Sequence, residues 1–255
     1  MSRPTLIVVA DDWGLSPEVD AGIIETVRSG TVTTVDAFVN PPFAADPRPV
    51  VAAGAAVGLH LNLTHGQPCA TASEVPSLTD GTGRFLSQRE ELLARADLHD
   101  VQREWQRQVD RFRELVGHEP CHVSVHKQLH REDPRLLTLA AELARQCGAL
   151  LRTLDPTMRD ACRALGALTT DGFLGGVHPA PYWTLERLRE QLGGIGGGLT
   201  ELMCHPGKGV RPVEGIWYIA ERDVERATLC SPEARGLLAK LRLAPCSAAL
   251  FGGGA

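Results

Sequence analysis

Leu6-Ile7-Val8-Val9-Ala10-Asp11-Asp12-Trp13-Gly14-Leu15-Ser16-Pro17-Glu18 is the stretch whose reading decides the fold. Its first five residues are apolar and rich in β-branched side chains, the composition of a strand buried on both faces, as a parallel sheet requires. The run stops at two carboxylates. Beyond Gly14, Ser16 as a cap, Pro17 at the first helical position and an early acid at Glu18 mark the start of a helix that should end near Gly30. A buried strand, a polar turn and a helix in succession form the repeating unit of parallel β/α folds.

Residues 32–39 again have strand character. A proline-rich turn and a short helix to Ala53 follow, and then Val57-Gly58-Leu59-His60-Leu61-Asn62-Leu63, whose alternation puts His60 and Asn62 on one face. Residues 71–86 read as a loop and 87–115 as one or two polar, amphipathic helices. The stretch 65–115 is expected to be an insertion that covers the site as a lid. Residues 121–125 look like a strand, Asp133-Pro134 begins another capped helix that Gly148 terminates, and 149–152 suits a further strand. A helix is expected over 184–192, a last clear strand over 199–204 leads directly into His205-Pro206-Gly207, and helices are expected around 223–241. No internal repeat is evident. The expectation is an α/β protein: one distorted parallel (β/α) barrel domain of about seven or eight units over residues 1–255.

Composition narrows the partners. A chain of 255 residues, 43% hydrophobic and 22% charged, matches an ordinary globular protein with a core large enough to need no disulfides. A formal net charge of -5 provides no broad attraction for phosphate backbones or anionic lipid, so neither nucleic acid nor a membrane is expected as a partner. No apolar run approaches the roughly 20 residues of a membrane span, and the run at Leu6 is too short for a signal-peptide core, which points to the cytoplasm. Seven cysteines without a C-x-x-C pair read as reduced, mostly buried thiols. Arginine outnumbers lysine 23 to 3, which carries no functional weight. Whether the chain forms a homo-oligomer is left open.

Asp11-Asp12, His60, His126 and His205 all fall at or just after the ends of expected strands, where sites of parallel β/α folds assemble. Adjacent aspartates cannot point the same way from an extended strand, so one is expected to ligate a metal and the other to handle protons. Each residue also has a plain structural reading. The aspartates could cap the turn, His60 could be a hydrogen-bonded core residue, and His205 could be a turn residue. His118, His122, His126 and His130 would form a stripe on a helix, but Pro120, Val123 and Val125 favour a strand that ends at His126 and leaves His118 and His122 to surface or packing roles. One carboxylate and two imidazoles would leave coordination positions open for water and substrate, and a metal there lowers the pKa of water to about 7. Zinc, cobalt or manganese suits two histidines better than calcium, and magnesium also fits.

Other chemistries are poorly represented. The glycine cluster at 193–198 precedes a strand instead of opening a helix, no G-x-S-x-G elbow is present, and Cys204 and His205 would point oppositely.

Three segments together, Ala10-Asp11-Asp12-Trp13-Gly14-Leu15-Ser16, Gly58-Leu59-His60-Leu61-Asn62-Leu63-Thr64 and Glu201-Leu202-Met203-Cys204-His205-Pro206-Gly207, resemble the YdjC-like carbohydrate deacetylases, among them the chitooligosaccharide and hopanoid-associated enzymes. The resemblance runs in the same order over nearly the whole chain. It implies a distorted β/α barrel that removes an acetyl group from an N-acetylated sugar, with one divalent metal, zinc or magnesium first and cobalt or manganese as alternatives. It assigns the metal to Asp12, His60 and His126, the general base to Asp11 and the acid that protonates the leaving amine to His205. Where the family commonly shows Asp-Ser-His-x-His-x-His, this chain reads Ser124-Val125-His126-Lys127-Gln128-Leu129-His130, so an acid and one histidine are missing, with consequences for ligand support, proton relay or substrate choice. Trp13 replaces a phenylalanine and would keep an aromatic wall on which a sugar stacks. Asn62 and Arg152 are candidate contacts to sugar hydroxyls. Two other readings share these residues, a metal-dependent sugar isomerase or aldolase and a non-catalytic sugar-binding relative. Acetate release separates them from a deacetylase.

Overall fold

The computed structural model describes residues 4–44, 46–177, 180–212 and 215–251. Among these, the strands are β1 (Thr5–Trp13), β2 (Thr34–Ala37), β3 (Ala56–Leu61), β4 (His122–Val125), β5 (Leu150–Leu151), β6 (Leu168–Thr169), β7 (Gly172–Leu174), β8 (Leu199–Cys204) and β9 (Arg242–Leu243). Every pairing between them is parallel, in the order β6-β5-β4-β3-β2-β1-β8-β7, with β9 added at the start of β1. β6 lies on β5 and, after Thr170 and Asp171, β7 lies on β8. One broken strand thus joins the two edges and curls the sheet into the expected distorted barrel.

Helices fill the connections: α1 (Pro17–Arg28), α2 (Arg48–Ala52), α3 (Arg89–Arg95), α4 (Leu98–Val116), α5 (Leu129–Glu132), α6 (Pro134–Cys147), α7 (Pro156–Ala164), α8 (Leu185–Gly193), α9 (Ala220–Cys230), α10 (Pro232–Leu238) and α11 (Cys246–Phe251). The capping chemistry operates as read. Ser16 Oγ accepts from Val19 N at 3.3 Å ahead of α1, Asp133 caps α6, and Gly148 ends it in the left-handed conformation. No helix among the described residues is long and apolar enough to cross a membrane. The seven cysteines are unpaired, and all but Cys69 and Cys230 are buried.

Alternation along β1 divides its apolar run between two cores. Leu6, Val8 and Ala10 face the helices and join the large outer core, together with Ile23, Leu59 and Leu202. Ile7 and Val9 face the barrel axis and pack with Cys121, Leu150 and Cys246. α11 meets the barrel at this end, where the Cys246 amide donates to Thr34 Oγ1 at 3.0 Å. The axis is therefore apolar at the strand starts, and the polar inward residues lie above it toward the strand ends.

The insertion between β3 and β4 is fixed to the barrel through α4. Trp105 and Phe112 are fully buried, Glu104 accepts from the amides of Cys69 and Ala70 at 2.9 Å each, and Gln108 exchanges hydrogen bonds with the backbone of Asn62. On the opposite side, α1 packs directly on the turn after β8. The Lys208 amide donates to Glu18 O at 2.9 Å, and a Cβ added at Gly22 would run into the backbone of Gly207. In an isolated helix Gly22→Ala would be stabilising by roughly 0.5–1 kcal/mol. Here it should instead lower stability by about 1–3 kcal/mol, because helix and turn must separate; the midpoint of urea unfolding measures this.

Candidate active site

Both aspartates reach the same cavity, contrary to the expectation from an extended strand. The β1–β2 register slips between Ala10 and Trp13, where three steps on β1 match two on β2. Asp12 sits in this bulge with φ 74°, a conformation uncommon outside glycine. The bulge turns the second carboxylate toward the side its neighbour already faces, at a backbone cost of roughly 1–3 kcal/mol.

Asp12 meets two histidines there. His60 Nε2 and His126 Nδ1 are 3.1 Å apart, and each lies 3.3 Å from Asp12 Oδ1. Donors bound to one ion at about 2.0–2.1 Å stand about 3.3–3.4 Å apart in a tetrahedral array and about 2.9 Å in an octahedral one, so this triangle has the size of one face of a coordination shell. Asp12 Oδ1 is buried and makes no hydrogen bond, which suits an atom whose partner is a cation. Its other oxygen accepts from Arg222 Nη2 at 2.5 Å, and Arg222 leads the influences that overcome burial and hold Asp12 well below the usual carboxylate range. On His60 burial opposes a charge, but Asp11, Asp12 and Asp36 outweigh it and raise the pKa; on His126 burial wins and the pKa falls. Asp11, Asp36 and His60 also lie close together, but they are already engaged by Arg152, His122 and Ser124, so Asp12, His60 and His126 form the better candidate for holding a metal.

Asp11 is clamped by Arg152, Nη1 to Oδ2 at 2.5 Å and Nη2 to Oδ1 at 2.8 Å. Burial would raise its pKa, but Arg152, helped by His60 and His205, holds it at about 2, so it is a carboxylate at any working pH. His205 Nε2 lies 3.7 Å from Asp11 Oδ2. Burial pushes His205 down to about 4 against the pull of Asp11 and Asp12, which makes it a neutral imidazole near pH 7. Its backbone amide donates to Glu225 Oε2 at 2.7 Å, and Glu225 is itself held by the Tyr218 hydroxyl at 2.5 Å. All five residues expected at strand ends therefore line one cavity of about 660 Å³, a size suited to a small ligand.

Of the three expected sugar contacts, Trp13 and Asn62 lie outside the cavity and Arg152 lines it. Trp13 is a core residue at 4% exposure and does not line the cavity, because the bulge that aims Asp12 inward sends the next side chain into the apolar layer. Asn62 follows the end of β3 and is fully buried, with Nδ2 donating to Asn40 Oδ1 and His65 O and its Oδ1 accepting two amides; it ties a turn together. Arg152 reaches the cavity wall, but its guanidinium is engaged by Asp11 and, through Nε at 2.6 Å, by Glu201. The exposed aromatic at the cavity is Trp217, at 59% exposure.

Beneath the site lies a polar layer that sequence reasoning missed. His122, expected at the surface or in packing, is fully buried between Asp36 (Nδ1 to Oδ2, 2.8 Å) and Glu201 (Nε2 to Oε2, 3.2 Å). Burial disfavours a charge on its ring, but the two carboxylates overcome this and lift its pKa to about 10. The available signal was an acid inside each of two apolar strands, since buried acids require partners. Arg222 and Glu225 come from α9 and carry no comparable signal.

A model of the YdjC-like protein family matches residues 5–240. The chain belongs to the YdjC-like family. Among its relatives are the mouse carbohydrate deacetylase, 32% identical over 96% of this chain and 94% of that one, and the Serratia marcescens chitooligosaccharide deacetylase, 30% identical over 92% and 94%. A solved structure from Enterococcus faecalis V583, provisionally named a cellobiose-phosphate cleavage protein, superposes with a TM-score of 0.84 at 27% identity, covering 97% of this chain and 99% of that one.

Replacing His122 with leucine should take the imidazole away from Asp36 and leave Glu201 with Arg152 alone, at a cost of about 3–5 kcal/mol. The charge on His122 stabilises the fold fully below its unfolded pKa of about 6.5 and ceases to do so as pH rises through about 10. Urea midpoints between about pH 7 and 10 should therefore fall in the wild type by an amount that His122→Leu does not share.

Proposed function

We propose that this chain is a metal-dependent carbohydrate deacetylase that hydrolyses the acetamide of an N-acetylated sugar. The observation that carries this reading is the triangle of Asp12, His60 and His126, whose ligand atoms stand 3.1–3.3 Å apart beside Asp11 and His205 in one cavity. The names of its relatives, carbohydrate and chitooligosaccharide deacetylases, support it.

Asp12, His60 and His126 would hold the ion. Two imidazoles and one carboxylate suit zinc best, with magnesium, cobalt and manganese as the other candidates. Bound there, a divalent cation would supply Lewis acidity toward the acetyl carbonyl and toward water near neutral pH.

Asp11, kept ionised by Arg152, takes a proton from the attacking water as its oxygen bonds to the acetyl carbon. His205 is neutral at rest, so it must collect a proton before it can give one. The proton on Asp11, 3.7 Å away, is the local source. His205 passes it to the nitrogen as the carbon–nitrogen bond breaks, releasing acetate and the sugar amine. Arg222 fixes Asp12 and Glu225 fixes the backbone at His205, so both reacting sides are oriented before substrate enters.

The sugar ring lies against Trp217 at the rim, a role the sequence placed on Trp13. The insertion at 65–115 supplies another wall through Ser87, Gln88, Arg89 and Glu90 and serves as the lid of a single barrel domain.

Metal-loaded protein should release acetate from one or more members of a panel of N-acetylated mono- and oligosaccharides. Sugar binding without acetate at any metal concentration would instead favour a non-catalytic relative, and conversion of the sugar without acetate an isomerase or aldolase. His60→Ala and His126→Ala should lose metal and activity together, whereas His205→Ala should keep its metal and lose turnover by about 10²–10⁴-fold. Full metal content in the His60, His126 double variant would reject the ligand assignment. Trp217→Ala should raise KM several-fold with kcat nearly unchanged, because stacking serves ground state and transition state alike.

A further inference from the structure

Ser124 on β4 lies level with His60 on β3, and an acid from β2 reaches its hydroxyl. Its hydroxyl is within hydrogen-bond reach of two groups: His60 Nδ1 at 2.7 Å, and Asp36 Oδ2 in a very short contact. A hydroxyl has one proton to give. The carboxylate of Asp36 only accepts, so that proton goes to Asp36, and Ser124 Oγ accepts the hydrogen on His60 Nδ1. His60 is thereby held as the tautomer whose Nε2 turns its lone pair toward Asp12 and His126.

The strand register shows how an acid two strands away reaches this point. Asp36 on β2 is level with Gly58 on β3, and His60 is level with Ser124 on β4. A side chain at 58 would occupy the space of the Asp36 carboxylate: an added Cβ would collide with Asp36 Oδ1 and with the Cβ of His122. The glycine leaves a gap through which Asp36 extends past β3 to Ser124 and His122. His122, in contact with both Asp36 oxygens at 2.8 and 3.0 Å, keeps the carboxylate turned toward the relay.

We propose that Asp36, acting through Ser124, is the positioning group for His60 as a metal ligand; this rests on His60 being a ligand, as argued above. The arrangement is a carboxylate–histidine–metal triad lengthened by one hydroxyl. Partners of this kind fix ring orientation and raise ligand basicity, and their loss costs about 10–100-fold in metal affinity.

Zinc affinity, measured by competition with a chromophoric chelator, and the visible spectrum of the cobalt-loaded protein test this without reference to activity. Ser124→Ala should weaken zinc by about 10–100-fold and shift the cobalt bands, while the Asp36–His122 pair remains intact. Asp36→Asn should weaken zinc similarly, and adding Ser124→Asp to it, which puts a carboxylate directly on Nδ1, should recover affinity. A purely structural serine would lower the urea midpoint of the metal-free protein and leave zinc affinity and the cobalt spectrum unchanged. Ser124→Ala with affinity within about two-fold of wild type, while His60→Ala binds no zinc, would overturn the positioning role alone. A wild-type protein that takes up neither zinc nor cobalt would overturn the ligand assignment as well.

Discussion

Four carboxylates, Asp11, Asp12, Asp36 and Glu201, converge inside one small barrel, and everything at the strand ends depends on the cations placed among them. Arg152 joins Asp11 to Glu201, His122 joins Glu201 to Asp36, and Arg222 reaches in from α9 to Asp12. An unpaired carboxylate at such depth would take up a proton or destabilise the fold by several kcal/mol, so the pairing is a condition of folding as much as of chemistry. With Arg152, Arg222 and a charged His122 set against four acids, one negative charge is left over. A divalent ion at the histidine triangle would reverse it to a single positive charge, a place for an anionic group to settle.

This explains the layering of the barrel. The apolar plug of Ile7, Val9, Leu150 and Cys246 excludes water from below, the ionic layer of Asp36, His122, Glu201 and Arg152 sits on it, and Asp11, Asp12, His60 and His126 form the floor of the cavity. Of the middle layer only Arg152 reaches the cavity; the others aim the groups that line it. Asp11 faces the cavity because Arg152 grips both its oxygens, and Arg152 is held in turn by Glu201. Low dielectric strengthens each of these contacts and makes any vacancy among them expensive.

Fold class was legible because parallel β/α units leave marks at close range: an apolar run, a polar strand end, a capped helix start. Ser16-Pro17 and Asp133-Pro134 announce α1 and α6 directly. Strand lengths were less legible. The stretch 32–39 shortens to Thr34–Ala37 and 149–152 to Leu150–Leu151, since a ladder extends only as far as its neighbour runs beside it. At the site, Asp11, Asp12, His60, His126 and His205 stood out as polar residues at strand ends. Asn62 was misplaced because a period of two was carried past the end of β3, and Trp13, taken from the family resemblance, turns into the core at the bulge in β1. Arg222, Glu225 and Trp217 come from the region after β8, where short-range patterns say nothing about distance to β1. Metal identity, the sugar and self-association depend on partners whose marks a single chain does not carry.

An acid can sit at 36 only while 58 lacks a side chain, and a hydroxyl at 124 supports the ligand only while 36 is acidic. In this chain the three positions are thus physically coupled: a side chain at 58 would take the space the Asp36 carboxylate fills, and without that carboxylate the hydroxyl at 124 would have no acceptor on β2, so a change at any one of them alters what the other two can do.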